Sequence, residues 1–303
     1  MSAAGTAAAT ATTGPLRKVR IAVTGQGVAY LPHQIALVQG FDREAGFDAE
    51  IQTLAGNAMF AAVVAGEVDF ADSGGSGIRA AAAGLPVRLA TCHGVRFLNW
   101  MLLAPGVGSV RDLEDKAVAV ASVGGDNELI ARDLIRKQGG DPSKVQYVGL
   151  GASDVRYSAL LSGRVGGAIV SSTEAIQARK ANLTVAGTPS DLPLACNESV
   201  VVAQPAISER PEVIRNYVRA VQRAVQFMQA EREASARILA EWQQLDIDDT
   251  LAAYDESQVK VTFSTDKATG EQAIKNSIEM ARSSGDITTD VQVSDVADLS
   301  LSP

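Results

Sequence analysis

The residues best suited to chemistry in this chain sit in short polar turns rich in glycine and hydroxyl groups. They are Thr24-Gly25-Gln26-Gly27-Val28-Ala29-Tyr30-Leu31-Pro32, Gly56-Asn57, Asp72-Ser73-Gly74-Gly75-Ser76, Ser122-Val123-Gly124-Gly125-Asp126-Asn127 and Ser171-Ser172-Thr173. Each lies between an apolar run and a segment of helical periodicity, so each opens a helix. A helix start leaves backbone N–H groups unpaired and partly positive, which favours an anionic or strongly polar guest. The glycines let backbone approach a ligand, Gln26 offers a donor and an acceptor, and Tyr30 offers a ring face. Any one turn is an ordinary capped helix. Their recurrence at the same place in successive units predicts a shared binding cleft.

Covalent chemistry has little support. His33 falls inside a helical pattern and reads as a core or surface residue. His93 follows an apolar strand and could face a cleft. The chain has no Gly-x-Ser-x-Gly elbow, His-Glu-x-x-His helix, P-loop lysine or dinucleotide fingerprint, and no metal-spaced acidic cluster. The expectation is no catalytic residue, no metal and no cofactor. Cys92 and Cys196 lack the spacing of a zinc site or redox pair. They could meet where two halves of the molecule join, but nothing in their spacing asks for a disulfide.

The elements that position these turns alternate in type. Val19–Val23, Ala49–Leu54, Val68–Ala71 and Val87–Thr91 read as strands, with helices over Leu31–Ala45, Asn57–Ala65 and Ser76–Ala83 between them. The pattern restarts after Pro105. Strands are expected at Ala117–Ala121, Val145–Leu150, Val165–Val170 and Leu183–Ala186, and helices at Asn127–Gln138, Ser153–Leu161 and Thr173–Ala181. This order implies parallel sheets covered by helices, and ligands in such sheets bind beyond the carboxyl ends of the strands. The last third is helical. Pro211 marks a helix start, Ile214, Tyr217, Val218, Val221, Val225 and Met228 form one face, and the helix is expected to run to about Trp242. Two more helices are expected near Asp248–Gln258 and Lys267–Ser283.

Composition narrows the class. At 303 residues and 46 % hydrophobic, the chain can bury a core in two domains, and this composition argues against intrinsic disorder. A formal charge of −8 argues against a nucleic-acid partner. No apolar run reaches the ~18 residues of a membrane span. Residues 1–16 read as a flexible leader. They hold small polar residues without the basic and apolar regions of a signal peptide, the kind of segment that remains after a signal is removed or replaced.

Several motifs together resemble a known family. Pro32, Ala36, Gln39-Gly40-Phe41 and Glu44-Ala45-Gly46-Phe47 look like its helix after the first strand. Ala65-Gly66-Glu67-Val68-Asp69-Phe70 and Ala83-Gly84-Leu85-Pro86-Val87 resemble two later steps. Val110 to Val120 resembles its second-lobe opening, with Asp115 in place of the usual glycine, and Gly166-Gly167-Ala168 replaces an expected Asp-Ala. The family is that of ABC-transporter solute-binding proteins of the sulfonate, nitrate, taurine and thiamine-precursor type, and the likeness covers roughly residues 19–235.

The resemblance implies a type II periplasmic-binding fold, two α/β lobes joined by two crossover strands, with the helical C-terminal segment on lobe one. Lobe one would be 17–100 plus 203–303 and lobe two 104–198, with crossovers near 99–104 and 198–203. It also implies a periplasmic or lipid-anchored extracellular protein, expected to be a monomer, that hands a small-molecule ligand to a membrane permease. Relatives that synthesise the thiamine pyrimidine carry an Asn-x-x-His step and a cysteine-rich motif. Tyr30 stands at that histidine position here, which argues against the enzyme. An effector-binding sensor is the third reading, weakened because no helix-turn-helix precedes the fold.

The candidate ligand-binding set is Gln26, Tyr30, Leu31, Asn57, Ser73, Gly74, Ser76, Trp100, Ser122, Gly124, Gly125, Asp126, Ser172, Glu174 and Glu198. Tyr30 or Trp100 would stack on a planar part of the ligand. Asp126 competes with an anionic ligand, so a sulfonate would need a cation from Arg79, Arg96 or Arg156. Alternatively, Asp126, Glu174 and Glu198 could bind an amine, amide or ring N–H. The expected mechanism is hinge closure around a small polar or planar organic solute: an organic acid, a sulfonate or a heterocycle.

Overall fold

The computed structural model describes residues 15–54, 56 and 58–302. Most of the expected leader and Asn57 lie outside the described residues. In chain order the strands are β1 (Arg17–Val23), β2 (Phe47–Thr53), β3 (Phe70–Asp72), β4 (Val87–Leu89), β5 (Gly94–Arg96) and β6 (Trp100–Leu103). They continue with β7 (Ala117–Val120), β8 (Gln146–Gly149), β9 (Gly167–Val170), β10 (Val185–Gly187), β11 (Leu194–Glu198) and β12 (Val200–Ala203).

Two five-stranded sheets result, ordered β2-β1-β3-β12-β4 and β10-β6-β9-β7-β8. β1 pairs in parallel with β2 and β3, and β7 with β8 and β9. One strand in each sheet runs against its neighbours: β12 in the first and β6 in the second. These are the strands by which the chain enters each sheet from the other. Their continuous apolar sequences, Trp100-Met101-Leu102-Leu103 and Val200-Val201-Val202, are buried, as strands covered on both faces must be. β5 and β11 immediately precede them and pair with each other as a separate antiparallel ribbon. The two segments expected as crossovers therefore contain β6 and β12, and the paired passage between sheets is β5 with β11.

Two expected helices are broken. The stretch after β1 forms Leu31–Val38 and Phe41–Glu44, because Gly40 takes a left-handed φ of 73° that ends the first helix. The long C-terminal helix divides at Glu231 into Pro211–Ala230 and Arg232–Gln243. Its predicted apolar face is intact: Ile214, Tyr217, Val218, Val221, Val225 and Met228 are all buried. Tyr217 stacks on Phe70 of β3 at 4.0 Å, which fixes this helix against the first sheet. The helix Ile247–Glu256, capped by Asp246, instead packs on Ser172–Lys180 beside the second sheet. Ion pairs Arg179–Glu256 and Lys180–Asp249 join those two helices.

Cys92 and Cys196 form a disulfide with Cα atoms 5.9 Å apart. The sequence reading did not call for this bond. The two residues are 104 positions apart, and only the pairing of the β5 and β11 ribbon brings their backbones together.

Candidate functional site

A cleft of about 980 Å³ lies between the two sheets. That is at the upper end of the roughly 300–1,000 Å³ usual for small-molecule sites. The turns after β1 and β3 supply one wall, through Thr24 to Tyr30, Ser73 and Ser76. The turns after β7, β8 and β9 supply the other, through Ser122 to Asp126, Ser153 and Ser171 to Glu174. Asn197 and Glu198, at the end of β11, line it at the ribbon. The polar turns thus converge because parallel strands of both sheets end toward the same space.

Of the expected ligand residues, Gln26, Tyr30, Ser73, Ser76, Ser122, Gly124, Gly125, Asp126, Ser172, Glu174 and Glu198 line this cleft. Leu31 does not. Its side chain is buried in the core, because it begins a helix that packs against the C-terminal helices Pro211–Ala230 and Arg232–Gln243. Gly74 does not line it either and is packed against the backbone of Cys196. Trp100 is also excluded, since it is fully buried in β6 with Nε1 donating to Glu256 Oε1 at 3.0 Å. Of the three arginines considered, Arg79 and Arg156 reach the cleft and Arg96 does not.

Several lining groups already have protein partners. The Gln26 amide pairs with Trp242, its nitrogen donating to the main-chain oxygen and its oxygen accepting from Nε1, both at 3.1 Å. Gln243 Nε2 donates to the Gln26 carbonyl at 2.9 Å. Tyr30 and Thr24 share a 2.5 Å hydroxyl contact, and burial pushes the Tyr30 hydroxyl well above its ordinary pKa. Gly124 N–H donates to Glu128 at 2.8 Å, so this turn is capped by its own helix. Glu174 accepts from the hydroxyls of Ser153 and Ser171, each at 2.5 Å. Arg156 donates through Nε to the Ile169 carbonyl at 2.6 Å and through Nη1 to that of Gly151. Burial lowers its pKa to about 10, which leaves it charged at neutral pH.

Asp126 bridges the cleft. Its carboxylate accepts from Ser76 N at 3.1 Å and Ser76 Oγ at 3.3 Å, and it lies 2.8 Å from Arg79 Nη2. Ser76 and Arg79 belong to the helix Gly75–Ala82 beside the first sheet, whereas Asp126 opens the helix Asp126–Lys137 beside the second.

Beneath the cleft floor is a buried cluster that the sequence reading missed. Asp72 Oδ2 is 2.6 Å from His33 Nε2 and 3.5 Å from His93 Nε2, and Oδ1 accepts from Ser199 N at 2.7 Å. His33 Nδ1 is 2.6 Å from the Tyr217 hydroxyl. Burial by itself would raise the Asp72 pKa. The charges of His93 and His33, with their hydrogen bonds, outweigh it and hold the carboxyl far below the ordinary range. His93 is fully buried and does not line the cleft, contrary to the possibility raised from its position after a strand. His33, Asp72 and His93 are donor types of a metal centre, with one atom each within 4.8 Å of the others. The direct 2.6 Å contact of His33 with Asp72 makes the group a hydrogen-bonded charge cluster. Next to it, burial and the Asp72 charge push the Glu198 carboxyl well up. Glu198 Oε1 accepts from Asn197 Nδ2 at 2.8 Å, while Oε2 is buried without a hydrogen-bond partner.

A family model described as "NMT1/THI5 like" matches residues 29–235. No curated protein sequence matches the chain. Solved structures resemble it over most of its length. A protein from Bordetella bronchiseptica RB50 has a TM-score of 0.77 at 21 % identity, covering 94 % of this chain and 93 % of that one. The alkanesulfonate-binding protein SsuA from Xanthomonas axonopodis pv. citri, bound to MOPS, has a TM-score of 0.74 at 15 % identity, covering 94 % and 99 %. The periplasmic nitrate-binding protein NrtA from Synechocystis PCC 6803 has a TM-score of 0.77 at 14 % identity, covering 94 % and 87 %. These likenesses show a shared architecture, the periplasmic-binding-protein fold.

Proposed function

The chain belongs to the NMT1/THI5-like family, and from that premise we propose that it is the solute-binding component of an ABC-type import system. It holds a small polar or planar organic solute in the cleft and presents it to a membrane permease. The observation that carries this reading is the placement of the cleft, lined by turns from both sheets and flanked by the β5–β11 ribbon that joins them. A solute touching both walls favours the closed arrangement by its extra contacts there, and the ribbon is the natural hinge.

In this reading the lobes are residues 17–100 plus 203–303 and residues 104–198, with the helix Ile247–Glu256 reaching across onto the second lobe, and the protein works as a monomer. It acts outside the cytoplasm, either in a periplasm or tethered at the cell surface. The Cys92–Cys196 disulfide supports that compartment, because such bonds persist in oxidising surroundings. Among the described residues no helix is long and apolar enough to cross a membrane. The protein is a binder rather than an enzyme. Three of the ionisable lining groups, Glu174, Arg156 and Asp126, are held by protein partners.

A thermal-shift panel of sulfonates, aromatic carboxylates, pyrimidines and polyamines tests the reading, together with solute uptake by cells lacking the protein. A ligand at 100 times its Kd should add about 2.7 kcal/mol of stability. Unchanged uptake in deletion cells, with no compound raising the melting temperature, would reject it.

A further inference from the structure

Asp126 stands where an anionic solute would be expected to dock. The first turn of the helix Gly75–Ala82 offers the Ser76 amide and hydroxyl, and Arg79 adds a guanidinium one turn later. Amide, hydroxyl and guanidinium converging on one point make an anion pocket. In this chain the pocket is already filled by a carboxylate from the opposite wall. The local sequence is fitted to that arrangement. A β-carbon on Gly75 would lie 2.9 Å from Asp126 Cγ, so glycine is what lets the carboxylate reach the helix start.

The rest of the cleft has the same bias. The basic residues lining it are Arg79 and Arg156, the first paired with Asp126 and the second bonded to backbone carbonyls. The acidic residues lining it are Asp126, Asp154, Glu174, Glu198 and Asp286. Among them Glu198 is nine-tenths buried and still has an oxygen, Oε2, without a donor. Burial and the Asp72 charge favour the protonated form of this carboxyl, so with Oε1 accepting from Asn197 the proton falls on Oε2, and Glu198 presents no carboxylate to a guest.

We propose that Asp126 is the specificity residue of this cleft: its carboxylate takes the anion's place on Ser76 and Arg79, so the protein binds a neutral or cationic solute and rejects sulfonates, nitrate and carboxylates. The proposal rests on the solute-binding reading and names its ligand class. It also makes Asp126 an electrostatic tie between the two walls.

The test is titration of methanesulfonate and of an amine panel (ethanolamine, spermidine, 4-aminopyrimidine) into the wild type, Asp126→Ala and Asp126→Asn by calorimetry, with melting curves to establish that each variant is folded. Vacating the pocket should strengthen methanesulfonate binding at least about tenfold, the factor that 1.4 kcal/mol represents. Wild-type stabilisation should come from the amine or N–H compounds. The proposal is overturned if wild type binds methanesulfonate as tightly as the variants do, or if folded Asp126→Ala gains no affinity for it. It is also overturned if the compounds that stabilise wild type are anions. The receptor reading fails by a different result, uptake unaffected by loss of the protein, which these titrations do not measure.

Discussion

His33 Nε2 lies 2.6 Å from Asp72 Oδ2, although the two residues are 39 positions apart and both are buried. With His93 and Tyr217 they form a charge cluster directly below the cleft and next to Ser199, where β11 gives way to β12. A buried carboxylate held this way is costly to disturb, because removing one partner strands the other charge away from water. Replacing Asp72 by alanine should destabilise the protein by about 3–5 kcal/mol, the range for breaking a buried pair. Urea unfolding of purified wild type and variant measures it, and a loss below about 1 kcal/mol would contradict the assignment.

The same residue predicts behaviour in acid. The folded-state pKa of Asp72 is depressed below its unfolded value, so the unfolded chain binds the proton more readily. The stabilisation is complete above the unfolded pKa of about 4 and is lost as pH falls toward the folded value. Melting temperature should therefore fall progressively below about pH 4–5. In Asp72→Asn that part of the pH dependence should be missing, as paired melts across the range would show.

Glu198 has the opposite sign. Burial and the neighbouring Asp72 charge raise its folded pKa, so its contribution is most favourable below the unfolded pKa and is lost as pH rises through the folded one. Glu198→Gln should raise the melting temperature at neutral pH, by about 2–4 °C for each kcal/mol recovered, while leaving it little changed near pH 4. A variant that melts lower than wild type at pH 7 would show that the carboxyl is not under strain there.

The disulfide should be a major stabilising element. Cys92 and Cys196 close a loop of 104 residues, and chain-entropy arguments put such a bond at about 4–5 kcal/mol. Reduction, or replacement of both cysteines by serine, should lower stability by about 2–5 kcal/mol in denaturant titration. Indistinguishable unfolding curves with and without reductant would refute this.

Much of the frame was legible from local pattern. The order of strands and helices, the inward face of Ile214, Tyr217, Val218, Val221, Val225 and Met228, and the turns that open helices all follow from short-range periodicity and capping chemistry. Because parallel strands carry their turns to one sheet edge, most of the candidate site residues also line one cleft. Leu31 and Trp100 misled because a residue beside a polar turn can point either way, and sequence position does not say which.

What the amino-acid order determined by itself was the sequence of elements and the polarity of their ends. Both are set by neighbours a few residues apart. Tertiary structure alone decided which polar groups are already occupied: Gln26 by Trp242, Asp126 by Ser76 and Arg79, and Asp72 by two histidines. It also decided that Cys92 meets Cys196. These pairings join residues from 21 to 216 positions apart, or 104 for the disulfide. No local preference encodes them, because each depends on how distant segments pack, and the Asp126 pairing depends on where two separate sheets come to rest against each other.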